Sequence, residues 1–294
     1  MAGFTRIALV TCLTASALWA AELTTGAIIP PSSLTFVEEL DRSGDHDGAA
    51  LECRRLLFFS PPAEQIPLLH FTLARELYLA KKYPDAINEF RNYYTRFPED
   101  QNAAQAMFLW GNCELLTGNA EAADKVWRWV QREHPSSDWA ARAGIKLGLA
   151  EAGKSNWMEA ANNFNWLYEH NETYKSLGKE LTLLSAKGRH IPRKDVTTGV
   201  ILSAVLPGAG QAYSGRWGDA AAALVITGGL GTLAVLSYLD KQYVGAGILG
   251  FLGITFYAGN IYNGGDAAIQ YNNRQELKLR QEILDRIKQE KLEE

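Results

Sequence analysis

Set against itself at an offset of 37 residues, the chain places like against like in four columns, and that period limits its possible folds more than any other feature. Ala49, Ala86, Ala123 and Ala160 form one column, with Cys53, Phe90, Trp127 and Phe164 four residues further on. Phe36, Leu73, Trp110 and Leu147 form another, each followed by a smaller residue, Val37, Ala74, Gly111 and Gly148. Pro61, Pro98 and Pro135 make a fourth, with Glu172 in the last copy. The alanine-to-aromatic spacing of four puts both side chains on one helix face. A large residue followed by a small one lets a second helix pass close to the first. Turn signals lie between the two, at Tyr83-Pro84-Asp85, Gly118-Asn119 and Gly153-Lys154-Ser155-Asn156. Proline after the second helix stops it. Each copy therefore reads as a helix-turn-helix pair that cannot bury its apolar face alone and must stack.

This order of large-small pair, Ala-x-x-x-aromatic and proline resembles the tetratricopeptide repeat over residues 30 to 173. Each copy is longer than that family's usual period, and Glu114 and Glu151 stand where the family has an aromatic. The first copy, with Val37 and Cys53, matches least well. The resemblance implies an all-α solenoid of about four helix pairs, with a capping helix after Tyr174 that closes a repeat domain spanning 30–187. It also implies a concave groove for a protein or peptide partner, lined by Leu68, Phe71, Arg75, Tyr78, Phe108, Asn112 and Ile145. The competing reading of these aromatics is packing between neighbouring helices.

Residues 1–20 read as an export signal or a retained N-terminal anchor, with Arg6 ahead of the apolar run Ile7 to Trp19. Small residues for cleavage stand at Ala15-Ser16-Ala17 and at Ala20-Ala21. Both versions export the segment that follows. Cys53 and Cys113 fall on different helices two repeats apart, so they read as small apolar packers rather than a disulfide. With 29 basic and 33 acidic residues and no basic block, the chain offers phosphates little attraction, and nucleic acid is set aside as a partner.

A basic linker, Lys187 to Lys194, separates the repeats from a nearly uncharged region, 196–265. Its first piece, 196–213, is broken at Pro207-Gly208-Ala209-Gly210 and is too short to span, so it reads as interfacial or re-entrant. Residues 219–239 and 244–262 are each long enough to cross, with a turn at Asp240-Lys241. Gly228, Gly229 and Gly231 facing Gly245, Gly247, Gly250 and Gly253 are expected to permit close backbone contact within this hairpin. Residues 266–294 read as a separate charged, amphipathic helix with Leu277, Ile283, Leu284 and Ile287 on one stripe. That helix reads as solvated with one packed edge, and the alternatives are that it docks on the repeats or pairs with another copy. Two spans return the tail to the exported side, whereas three leave it in the cytoplasm.

The stretch carrying Pro207, Gly208, Gly210, Gln211, Tyr213 and Gly215 resembles a Pro-Gly-x-Gly-Gln-x-Tyr-x-Gly motif of small bacterial membrane domains, over Val196 to about Asn273. Related domains occur beside extracytoplasmic repeat modules and beside the membrane protein insertion efficiency factor. The motif reads either as a loop that touches lipid or a partner, or as a stiff interfacial turn with Gln211, Tyr213, Arg216 and Trp217 at headgroup level.

His46, His70, His134, His170 and His190 have no helical i, i+4 partner and no cysteine cluster nearby, so no metal site is expected. Gly-x-Ser-x-Gly is missing, and Gly208-Ala209-Gly210 lacks the strand and Lys-Ser/Thr of a phosphate loop. The expectation is a chain that is not an enzyme and carries no cofactor. It would serve as a scaffold tethered to the bacterial inner membrane, with its repeats in the periplasm. The alternatives are an oligomeric pore or transport component, associating with itself, and an assembly or insertion factor for envelope proteins.

Overall fold

The computed structural model describes residues 31–290, and among these it holds helices and no strand. The export segment 1–20 lies outside the described residues. Among the described residues nine α-helices precede the uncharged region: α1 (Pro31–Ser43), α2 (His46–Phe58), α3 (Ile66–Leu79), α4 (Tyr83–Arg96), α5 (Ala103–Leu116), α6 (Ala120–Glu133), α7 (Asp138–Gly153), α8 (Trp157–His170) and α9 (Lys175–Gly188). Four follow: α10 (Val196–Val205), α11 (Ala209–Tyr213), α12 (Trp217–Leu239) and α13 (Tyr243–Gln289). They gather into two compact units, one reaching Leu147 with Trp166–Lys175 added, the other Gly148–Asn165 with Ser176 onward.

One turn joins the helices of every pair, and it repeats with the sequence period. Gly44, Lys81, Gly118 and Ser155 all have positive φ. The N–H after each reaches back five residues: Asp45 to the Leu40 carbonyl (2.9 Å), Lys82 to Leu77 (2.9 Å), Asn119 to Glu114 (2.8 Å) and Asn156 to Glu151 (3.0 Å). This pattern is a Schellman cap, which satisfies carbonyls the helix end would leave unpaired. The same residue then starts the next helix, its carbonyl accepting from Ala49, Ala86, Ala123 or Ala160. The alanine column is thus tied to the turn by backbone bonding. Gly215 and Lys241 build the identical turn before α12 and α13. Lysine is strained at positive φ where glycine is not. Lys81→Gly should therefore raise stability by about 1 kcal/mol, seen as a higher thermal midpoint; a lower midpoint would contradict the turn geometry.

The first unit shows why the large-small pairs recur. A Cβ on Gly111 would run into the indole of Trp127, so the missing side chain is the space that this ring fills. Ala74 and Phe90, the equivalent pair one copy earlier, are both fully buried. Trp127 Nε1 also donates to the Phe108 carbonyl at 3.3 Å. The glutamate in the aromatic's usual place has its own role. Glu114 is buried and accepts from Trp110 Nε1 (2.9 Å) and Asn119 Nδ2 (3.3 Å), clasping the turn to its helix. Phe36 departs from its column, since it is half exposed while Val37 takes the buried place.

Cys53 and Cys113 are free and buried, as expected of small packers. Burial first, and then the nearby carboxylates Glu76 and Glu114 respectively, push both thiols up to about 12. A neutral-pH maleimide should leave both unlabelled until the protein unfolds, and labelling of the native form would contradict their burial. The raised values carry a sign. Below the unfolded thiol value of about 8.5 both states hold the proton and stability is unaffected. As pH rises from there toward 12, only the unfolded state ionises and stability is lost.

In the second unit the same packing recurs twice. Cβ atoms on Gly148 and Gly188 would strike the rings of Phe164 and Trp157. Glu151 accepts from Asn156 Nδ2 at 2.8 Å, as Glu114 does from Asn119. The tail corrects an expectation: α13 is one continuous helix of 47 residues, so the second apolar stretch and the charged segment are not separate elements. Gly264 and Gly265 cost helix propensity, but they are buried where α10 packs against them. The distal half of α13 buries Leu279, Ile283 and Ile287, while Leu277 is exposed and Leu284 only partly covered. Arg280 Nε donates to the Ala152 carbonyl (2.9 Å) and its Nη2 to Ser155 Oγ (2.8 Å), while Ser155 Oγ donates to Glu276 Oε2 (2.6 Å). Arg286 Nε donates to Glu180 at 2.7 Å. The tail is docked on the α7–α8 turn and on α9.

α12 and α13 are long and apolar enough to cross a membrane, and only 6% of each apolar stretch is buried inside the fold. A soluble core helix would be covered; these are not. Twenty-three residues of α12 reach about 35 Å, enough for a hydrocarbon core of about 30 Å, whereas the ten of α10 reach about half of it.

Candidate functional site

The Pro-Gly break in the uncharged region creates a bonding problem that the fold solves with side chains. In a continuous helix the Ser203 carbonyl would accept from residue 207, but Pro207 has no N–H. The Ala204 carbonyl would accept from Gly208, which here has φ +89° and turns its N–H elsewhere. α13 supplies the replacements. Asn260 Nδ2 donates to the Ser203 carbonyl at 3.0 Å, and the Tyr257 hydroxyl donates to the Ala204 carbonyl. Gly208 N–H donates to Asn260 Oδ1 at 2.9 Å. Gln211 Nε2 donates to the same oxygen at 3.1 Å, Ser203 Oγ donates to Gln211 Oε1 at 3.0 Å, and Gly210 N–H donates to Ser203 Oγ at 3.1 Å. Ser203, Gln211 and Asn260 are all buried. The result is a closed polar knot tying α10, α11 and α13 together, of the kind that an apolar surrounding demands.

Glycine makes the knot possible. Gly208 faces the Ala220 carbonyl, and Gly210 is pressed between the Gly199 carbonyl, Ser203 Oγ and Gly264 Cα, closer than a Cβ could tolerate. Of the glycines expected to bring the two spans together, one pair meets. A Cβ built on Gly253 would lie 3.7 Å from Leu230 Cβ and 3.9 Å from the Gly231 backbone N, whereas Gly228, Gly229, Gly245, Gly247 and Gly250 face open space. The close approach is made by a third element, α10, against Gly264 and Gly265.

The contacts fix the path of the chain. Gly199 meets Gly264, Ser203 meets Asn260 and Ala204 meets Tyr257, so α10 runs antiparallel to α13. α11 then returns: the Tyr213 hydroxyl accepts from Asp195 N–H at 3.2 Å, and its ring carries Lys194 Nζ 4.5 Å from the centroid. Asn272 holds Lys194 through both backbone groups, at 2.7 and 2.9 Å. α10 and α11 enter and leave on the side where the tail begins, which is a re-entrant path. Of the six motif positions, Gly208, Gly210 and Gln211 belong to the knot and Pro207 opens it. Tyr213 anchors the return, and Gly215 only turns the chain into α12, with open space around it.

Beside the knot a cleft of about 650 Å³ opens between α12 and α13. Arg216, Asp219, Asn263, Asp266 and Gln270 make up its charged and amide-rich end, the mouth, and Ala222, Ala223, Ile226, Phe256 and Gly259 line the rest together with Thr227, Thr255 and the knot residues Gln211 and Asn260. Arg216 donates to Asp219 through Nε (2.5 Å) and to Gln270 Oε1 through Nη1 (3.1 Å), and Gln270 Nε2 donates to Asp266 Oδ2 (2.6 Å). A polar chain therefore runs across the mouth, beside a lining that mixes apolar side chains with the hydroxyls of Thr227 and Thr255.

The groove residues separate into two groups. Phe71, Phe108 and Ile145 are buried, and Phe71 packs against Tyr93 (5.7 Å between ring centres) and Phe108 against Trp139 (5.4 Å). For these three the groove expectation is corrected: the apolar contact they could give a partner is already spent on neighbouring helices. Leu68 is exposed, Arg75, Tyr78 and Asn112 are half-buried, and Asn112 hydrogen-bonds the Tyr78 hydroxyl.

His46 does not stand alone, contrary to its sequence neighbourhood. Its Nδ1 lies 2.8 Å from Glu76 Oε2 and 3.5 Å from Asp41 Oδ1, a group assembled from α1, α2 and α3 that no helical spacing announces. Arg75 binds both carboxylates, at 2.6 and 2.7 Å. The guanidinium already neutralises the buried Glu76, and a cation would have to displace it. The cluster reads as an ion network that pins three helices.

The fold and the knot define an all-helical chain of stacked pairs followed by two helices able to cross a membrane. Comparison with known proteins found no family model and no curated protein that matches the chain significantly.

Proposed function

We propose that the chain is a scaffold of the bacterial cell envelope, with tetratricopeptide-type helical pairs in the periplasm holding a protein or peptide partner and the α12–α13 hairpin moored in the inner membrane. The observation that carries this reading is α13 itself. Its first half is apolar and uncovered, and its second half is clamped to the α7–α8 turn and α9 by Arg280, Glu276 and Arg286. One rigid element thus joins lipid-facing surface to the helical pairs, which is what a tether requires. Two crossings with a turn at Lys241 return the tail to the side from which the linker came. Partner contact on this reading falls to Leu68 with Arg75, Tyr78 and Asn112, and no chemistry is assigned to the chain.

Two measurements test the proposal together. The protein should stay in the membrane pellet after alkaline carbonate extraction. A partner co-purified in mild detergent from wild type should be lost, by tenfold or more, from Leu68→Glu at unchanged thermal stability. Release by carbonate would remove the mooring, and a partner retained by Leu68→Glu would remove the groove.

A further inference from the structure

We propose that the cleft between α12 and α13 binds one phospholipid whose headgroup carries a primary ammonium. This rests on the membrane reading above. Three ionisable side chains, Arg216, Asp219 and Asp266, meet where the cleft adjoins the uncovered apolar surface of the two helices. Two carboxylates, Asp219 and Asp266, meet one guanidinium, Arg216, so the mouth carries an excess of one negative charge. Their bonding is incomplete on one side only. Arg216 and Gln270 engage the Oδ2 atoms of Asp219 and Asp266, so the second oxygen of each carboxylate keeps its capacity to accept. Asn263, exposed and on the same helix as Asp266, also lines the cleft. The site therefore asks for a cationic donor.

The rest of the cleft selects an amphiphile. Ala222, Ala223, Ile226 and Phe256 continue from the polar mouth along the uncovered face of the hairpin, where an acyl chain would lie. An ammonium seated on Asp266 and Asp219 would place its phosphate near Arg216, whose remaining N–H groups are donors. A primary ammonium gives three N–H donors, and a quaternary one has the same charge and none, so the first should be favoured. A singly anionic headgroup without an amine adds to the negative excess and should be disfavoured.

Native mass spectrometry of the full chain in detergent decides this, with phosphatidylethanolamine, phosphatidylcholine and phosphatidylglycerol of matched acyl chains added in equal amounts. The expected result is one retained ethanolamine lipid, favoured about fivefold or more over each competitor, with Asp266→Asn erasing the preference and Lys241→Gln at the far turn keeping it. Equal retention of all three lipids would overturn the proposal, as would a preference for the glycerol lipid or one that survives Asp266→Asn. A second copy of the chain in place of lipid would overturn it too. Failure of the membrane reading is seen separately, as a protein that needs no detergent to stay in solution.

Discussion

Asn260→Leu is expected to unfold the α10–α13 assembly while leaving the helical pairs of the first unit folded. The side chain is close to isosteric, so the effect is one of bonding. The substitution strips the partner from two groups at once, the Ser203 carbonyl, which Pro207 has already deprived of a helix donor, and the Gly208 N–H, and leaves Gln211 Nε2 only its long bond to the residue 260 carbonyl, 3.4 Å in wild type. Each buried polar group left unpaired costs about 1–3 kcal/mol, so the two give roughly 2–6 kcal/mol in all, and lipid offers no water to relieve it. Limited trypsin digestion in detergent should then cut rapidly at Arg216 in the variant and slowly in wild type. Asn260→Asp keeps the acceptor for Gly208 and Gln211 but loses the donor to Ser203, and should be intermediate. Equal protease resistance of Asn260→Leu and wild type would mean that the knot does not hold these helices.

Gly210→Val is expected to have the second largest effect, by a steric route. Two of the three nearest neighbours of a Cβ there are backbone atoms, the Gly199 carbonyl and Gly264 Cα, so no side-chain rotation clears the space and α10 must move off α13. Overpacking of this kind costs about 3 kcal/mol, and backbone neighbours put it at the upper end of the range. Gly228→Ala is the matched control. That glycine faces open space in the middle of α12, and alanine there should be neutral or gain up to about 1 kcal/mol in helix propensity. Thermal unfolding in one detergent compares the two directly. If Gly228→Ala were the more damaging, the assignment of which glycines pack would be reversed.

Much of the fold was legible because helical pairing has a period. The columns at 49, 86, 123 and 160 and the glycine-aromatic matches at Gly111 with Trp127 and Gly148 with Phe164 follow from one rule about close helices. The two apolar runs and the turn at Lys241 were equally readable from length and charge. What the sequence hid depends on a third element. Counting glycines cannot say which face meets α10, so Gly228 and Gly250 looked like packing residues while Gly199 and Gly264 did not stand out. Phe71 and Phe108 looked like groove residues because a helix face is ambiguous until its neighbour is placed. His46, Asp41 and Glu76 meet only through three helices. Ser203 and Asn260, 57 residues apart, could be paired only by asking which carbonyl Pro207 orphans and who answers it.

The central claim is that one hairpin through lipid returns the chain to the side it came from, and side-specific labelling of single cysteines tests it most directly. With Cys12, Cys53 and Cys113 replaced by alanine, Lys179→Cys on α9, Lys241→Cys at the turn and Gln281→Cys on the tail would be probed in intact cells with a membrane-impermeant maleimide. Positions 179 and 281 should label from the periplasm, and 241 only after the inner membrane is opened. Labelling of 179 and 281 from opposite sides, or of all three from one side, would contradict it.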